Sequence, residues 1–146
     1  MDISLLGLLV GIFLWWNFLI WVISRIGGWS QLARAYGFEG EFPAYSQGKS
    51  LRSQSLLLMG LGSYRSAVEV GWDESALYLR TARFFRVGHK PLRLPWSDLK
   101  ASSSKKWFEK YVALTSNQVP AVPIHFRLKV AKRLAEKIGE NWPKEV

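Results

Sequence analysis

From Leu5 to Ile23 the chain is apolar and carries no charge, and Asn17 is its one strongly polar interruption. A helix rises about 1.5 Å per residue, so the run reaches roughly 28 Å, close to the ~30 Å hydrocarbon thickness of a bilayer. Residues 1–24 therefore read as a transmembrane anchor. About 120 residues remain, near the usual size of one domain. A cleaved signal would need a basic leader, a shorter apolar core and a small-residue cleavage site. Here Asp2 is the only charge ahead of the run, the run is long, and Ser24-Arg25-Ile26-Gly27-Gly28-Trp29 places bulky and charged residues where the cleavage site would lie. The segment reads as a retained anchor.

Beyond the span the chain turns basic. The net charge is +9, and since Asp2 is the only charge before Arg25, the rest holds 20 basic against 10 acidic residues. Such a domain is drawn to anionic surfaces. Beside a bilayer, lipid headgroups are the nearest of these, with nucleic acid and an acidic protein partner as the other candidates. Asp2 flanks the span on one side and Arg25 and Arg34 on the other. The positive-inside rule then puts the N-terminus outside and the domain in the cytoplasm.

Composition removes several chemistries. With no cysteine there is no disulfide framework, thiolate metal site or cysteine nucleophile. His89 and His125 are the only histidines, with no H-E-x-x-H. His125 alternates outward between Ile124 and Phe126 and reads as a solvated strand residue, whereas His89 falls in a loop. The carboxylates Asp73, Glu74 and Asp98 fall in turns and make no acid/base pair. No catalytic residue, cofactor site or metal site is expected. Neither an RNP string nor a helix-turn-helix supports nucleic-acid binding.

Inside the span, Gly7 and Gly11 form a G-x-x-x-G pair that lets two helices approach closely. Asn17 lies about 80° away around the helix. These three are the candidate residues for helix association, in a homodimer or a larger membrane complex. Trp15 and Trp16 lie near the middle of the run, away from the headgroup depth tryptophan favours.

After a hinge at residues 24–28, Ser30 to Gly37 has an N-cap candidate, helix formers and a closing glycine. Trp29, Leu32, Ala33 and Tyr36 share one face, which covers the domain or rests at the bilayer interface. Residues 25–50 thus read as a short juxtamembrane helix and linker. The period then becomes two, with strands expected over 55–60, 64–72, 76–82, 91–96, 99–103, 107–116 and 122–126. From Leu128 the period is helical again: Ala131, Leu134, Ala135, Ile138 and Trp142 face one way and Lys129, Lys132, Arg133 and Lys137 the other. A sheet of this size leaves a core to cover, so this helix reads as a lid.

Two strings carry a resemblance. Ala76-Leu77-Tyr78-Leu79 followed by Pro91-Leu92-Arg93-Leu94-Pro95-Trp96-Ser97-Asp98-Leu99 resembles the LYL and PW-sD stretches of bacterial pleckstrin-homology-like (PH-like) and GRAM-like domains. Gly28-Trp29-x-x-Leu32-Ala33-x-x-Tyr36 is similar to a string found in small bacterial membrane proteins. The resemblance implies an α+β chain: a transmembrane helix, then over 51–146 a PH-like antiparallel β-sandwich or barrel of about seven strands with a C-terminal amphipathic helix. It also implies a single-pass protein of a bacterial-type inner membrane. PH-like domains bind phosphoinositides, peptides or proteins, and lipid-binding members carry basic residues around the first hairpin. Lys49, Arg52 and Arg65 are the nearest matches, but Gly60 to Ser63 holds no cation.

Between Arg80 and Lys110 nine basic residues meet only Asp98 and Glu109. Arg83-Phe84-Phe85-Arg86 and Lys105-Lys106-Trp107-Phe108 pair cations with aromatics, a combination suited to headgroup depth. Arg80, Arg83, Phe84, Phe85, Arg86, Lys90, Arg93, Lys105, Lys106 and Trp107 are the candidate lipid- or partner-binding residues. The whole reads as a non-enzymatic binding or scaffolding module at the membrane, or as an accessory structural subunit of a larger membrane complex.

Overall fold

The computed structural model describes residues 2–26, 28–43, 50–58, 62–83, 86–106 and 108–144. Among the described residues the chain is α+β, with an N-terminal helix, seven antiparallel strands and a C-terminal helix.

Helix α1 spans Ile3–Ile26. Its start is held by Asp2, whose carboxylate accepts from the Ser4 hydroxyl at 2.8 Å. Ile3–Ile23 is long and apolar enough to cross a membrane, as a signal sequence also would be. It is no core helix, because its large side chains from Ile3 to Leu19 face outward. Its last turns meet the rest of the molecule: Ile20 is 2% exposed, and Ile23 packs against the hydrophobic core.

Gly28, with φ of 92°, turns the chain into α2, Trp29–Tyr36. A side chain there would be strained in this left-handed region. Trp29, Leu32 and Tyr36 are buried, one stripe of a helix too short to persist without packing. They lie in the same core as the strands. Gly37 then bridges to Leu92.

The strands are β1 (Ser50–Leu58), β2 (Gly62–Trp72), β3 (Ala76–Thr81), β4 (Leu92–Pro95), β5 (Leu99–Lys106), β6 (Glu109–Ser116) and β7 (Ile124–Arg127). They form a four-stranded sheet, β4-β3-β2-β1, and a three-stranded one, β7-β6-β5. β1 joins the two, pairing with β2 along its length and with β7 over Leu56–Leu58. Register shifts in β1 at Leu51/Gln54 and Gln54/Leu56 give it the bend that serving two sheets requires. The expected barrel does not close: among the described residues no ladder joins β4 to β5, and a 3₁₀ turn, Trp96–Asp98, connects them.

Between the sheets lie Val68, Val70, Leu77, Leu79, Leu92, Leu94, Leu114, Ile124 and Phe126. Helix α3, Leu128–Ile138, adds Ala131 and Leu134, and Trp142 beyond it packs edge-on to Trp96 at 6.4 Å. The polar face of α3 stays exposed, as expected of a lid.

Two residues are buried, one away from the apolar face of its strand and one against its expected exposure. Tyr78, on the face opposite Leu77 and Leu79, is nevertheless buried, because Phe38 and Phe42 pack edge-on against its ring at 5.3 and 6.1 Å. Phe42 also lies over Gly71, where a Cβ would come within 2.9 Å of its ring. His125 is not solvated: it is 3% exposed, with the Tyr111 ring edge-on at 6.1 Å from the neighbouring strand.

Candidate functional site

The β3–β4 loop is fixed to α2. His89 donates its backbone N–H to Arg86 O at 2.9 Å, its Nδ1 lies 2.8 Å from Val87 O, and its ring meets Trp29 edge-on at 5.3 Å. Trp29 Nε1 donates to Lys90 O at 2.8 Å, and Phe38 N donates to Pro91 O at 3.0 Å. Because Trp29 opens the helix that follows the end of α1, these bonds hold the loop beside the exit of the apolar helix. Arg25, in the last turn of α1, has its guanidinium 5.1 Å from the Trp21 ring centre.

The loop offers Arg83, Arg86, Val87 and Lys90 to solvent. Arg86 Nε donates to Thr81 O at 3.3 Å, and Lys90 Nζ lies 3.8 Å from Glu39, an exposed pair of little strength. Phe84 and Phe85 lie outside the described residues.

Among the described residues the linear basic cluster is divided between separate elements. Arg80 belongs to the outer face of the first sheet, 2.7 Å from Glu69 and 4.2 Å from the Phe42 ring centre. Arg93 donates to Ser75 Oγ at 2.9 Å and Tyr78 OH at 3.3 Å. Tyr78 in turn donates to Asp73 at 2.6 Å. Partial burial pushes the Asp73 carboxyl up, but donation from Tyr78, Ser75 and Ala76 outweighs it and holds the group below 3.8. Burial and the adjacent carboxylate raise Tyr78. These groups brace the sheet against the 38–43 segment.

Lys105 lies on the β5–β6 hairpin, directly across the ladder from Lys110. Lys106 pairs through its backbone with Glu109; its side chain and Trp107 lie outside the described residues. On α1, nothing comes within 4 Å of a Cβ built at Gly7 or Gly11, so that face is open. Asn17 instead donates to Phe13 O at 2.7 Å within its own helix, which leaves it less to offer a neighbour.

Two residues emerge only from the fold. Val87, 41% exposed, puts an apolar side chain among the loop cations, and His89 is the peg beneath it, 3% exposed. A loop histidine beside Lys90 carries no local sign that Trp29 will cover it. Among the described residues no three His, Cys, Asp or Glu side chains gather as a metal site would require.

Burial pushes the His89 imidazole below its usual 6.5, the Val87 carbonyl opposing weakly. Its folded pKa being the lower, the unfolded chain takes up the proton first as pH falls. Stability from the neutral ring is therefore present above about pH 6.5 and lost as pH drops through the folded value. His89→Phe keeps the ring against Trp29 and is expected to flatten the fall in melting temperature between about pH 7 and about pH 5. Parallel curves for both proteins would assign that fall to other groups.

No family model matches the chain, and no curated protein or solved structure matches it either.

Proposed function

We propose that this is a single-pass protein of a bacterial-type inner membrane, N-terminus outside, whose cytoplasmic PH-like domain is a non-enzymatic binding module docking on anionic lipid. The observation that carries this reading is the β3–β4 loop, pegged by His89 and Trp29 beside the exit of α1, with Arg83, Arg86 and Val87 exposed. Packing of Ile20 and Ile23 into the domain supports a retained anchor, since cleavage would strip side chains from the core. Strand order, the four-and-three division and the C-terminal helix support the PH-like comparison. An accessory subunit role in a larger membrane complex is the second reading, favoured by the open face at Gly7 and Gly11.

Since the chain has no cysteine, Val87→Cys takes one environment-sensitive fluorophore cleanly. In nanodiscs holding the full chain, its emission is expected to shift to the blue when phosphatidylcholine is replaced by a mixture with phosphatidylglycerol. Each cation near an anionic surface adds about 1 kcal/mol, so Arg83→Gln with Arg86→Gln should weaken docking roughly thirtyfold. Emission identical in both lipids would sink the lipid reading and turn the search to protein partners.

A further inference from the structure

The β5–β6 hairpin carries three features that its own packing does not require. Lys106 pairs with Glu109 across the tip, and Phe108 lies in the turn between them. Phe108 is 96% exposed, and its φ of 65° lies in the left-handed region, a strained conformation for a bulky residue. Glycine or asparagine would occupy such a turn at less cost. Below the tip, Lys105 and Lys110 oppose each other directly, and like charges so placed repel. The one carboxylate on the hairpin does not relieve them: Glu109 is held by Arg127 at 3.3 Å and by the Tyr111 hydroxyl at 3.1 Å. Third, a cleft of about 450 Å³ opens beside the hairpin just below its tip, lined by Ser103, Ser104, Lys105, Lys110, Tyr111 and Leu128.

Lysines on an edge strand are a common guard against strand pairing, and β5 is an edge. That accounts for Lys105 but leaves the aromatic at the tip and the opposed lysine unexplained. An anionic bilayer satisfies all three features together. An aromatic tip settles at the boundary of headgroups and acyl chains, two cations just above it meet phosphate oxygens, and the cleft has room for a headgroup.

We propose that the β5–β6 hairpin is a second lipid contact, in which Phe108 enters an anionic bilayer while Lys105 and Lys110 hold the phosphate of a lipid headgroup in the cleft. This deepens the membrane-docking reading and rests on it, yet involves residues of a different hairpin.

The test uses the full chain in nanodiscs with a fluorophore on Phe108→Cys. Emission is expected to shift to the blue in phosphatidylglycerol-containing discs relative to phosphatidylcholine alone, and the shift to be lost with Lys105→Gln and Lys110→Gln. Inorganic phosphate added to neutral discs should not reproduce it. A shift given by free phosphate, one that survives loss of both lysines, or none at all would overturn the proposal. A shift at Val87 without one at Phe108 overturns this inference alone. Phe108→Gly should melt at the same or a higher temperature than the parent, because it relieves the left-handed strain; a lower melting temperature would mean that the ring serves the fold and would equally overturn the proposal.

Discussion

Trp29→Ala is expected to destabilise the domain by about 3–5 kcal/mol, the usual range for emptying a large aromatic site in a core. Against a typical total of about 5–15 kcal/mol, this would leave a marginal domain. Trp29 is fully buried and acts at two levels. Its ring fills the space between α2 and the sheet and covers His89, while its Nε1–H satisfies Lys90 O. Trp29→Phe separates these roles: it keeps most of the packing and loses one hydrogen bond, for about 1 kcal/mol. Denaturant unfolding of the full chain in nanodiscs, followed by circular dichroism, reads both. A loss below about 1 kcal/mol for Trp29→Ala would mean that α2 is not part of the core.

Phe126→Ala is the second large effect, again about 3–5 kcal/mol. Phe126 is fully buried in β7, opposite Leu56 of β1 and Val112 of β6, where the two sheets meet. Because one core spans that junction, both sheets should be lost in a single transition shifted to lower denaturant. Two separated transitions would show that the four-stranded and three-stranded sheets are stabilised independently.

How much of this was legible in the sequence differs by element. Alternation such as Leu92 and Leu94 marked the strands, and the helical period from Leu128 marked the lid. The edges were harder. Ser50-Leu51-Arg52-Ser53 reads as loop yet opens β1, where β2 pairs with it and β7 does not, and Ser104 to Lys106 continue the edge strand β5, because a strand segment paired on one side carries polar residues without an apolar rhythm. Burial of Tyr78 and His125 was not legible either. Alternation tells which side of a sheet a residue faces, but whether that side is covered depends on distant groups such as Phe38, Phe42 and Tyr111. The basic residues separate in the fold for a related reason. Neighbours in sequence from Arg80 to Lys110 fall on two hairpins and one sheet face, and Arg80 and Arg93 are spent on Glu69, Ser75 and Tyr78. What survives is smaller: Arg83, Arg86 and Lys90 around Val87, and the lysines of the second hairpin.

Hydrogen–deuterium exchange of the full-length chain in neutral and anionic nanodiscs reads lipid contact at the β3–β4 loop most directly. Backbone amides of residues 86–90 are expected to exchange more slowly in the anionic discs. That protection should fade in about 1 M salt, where the screening length shrinks to about 3 Å. Exchange at those amides that is the same in both lipids, or slowed equally at high salt, would contradict an electrostatic contact between this loop and the membrane.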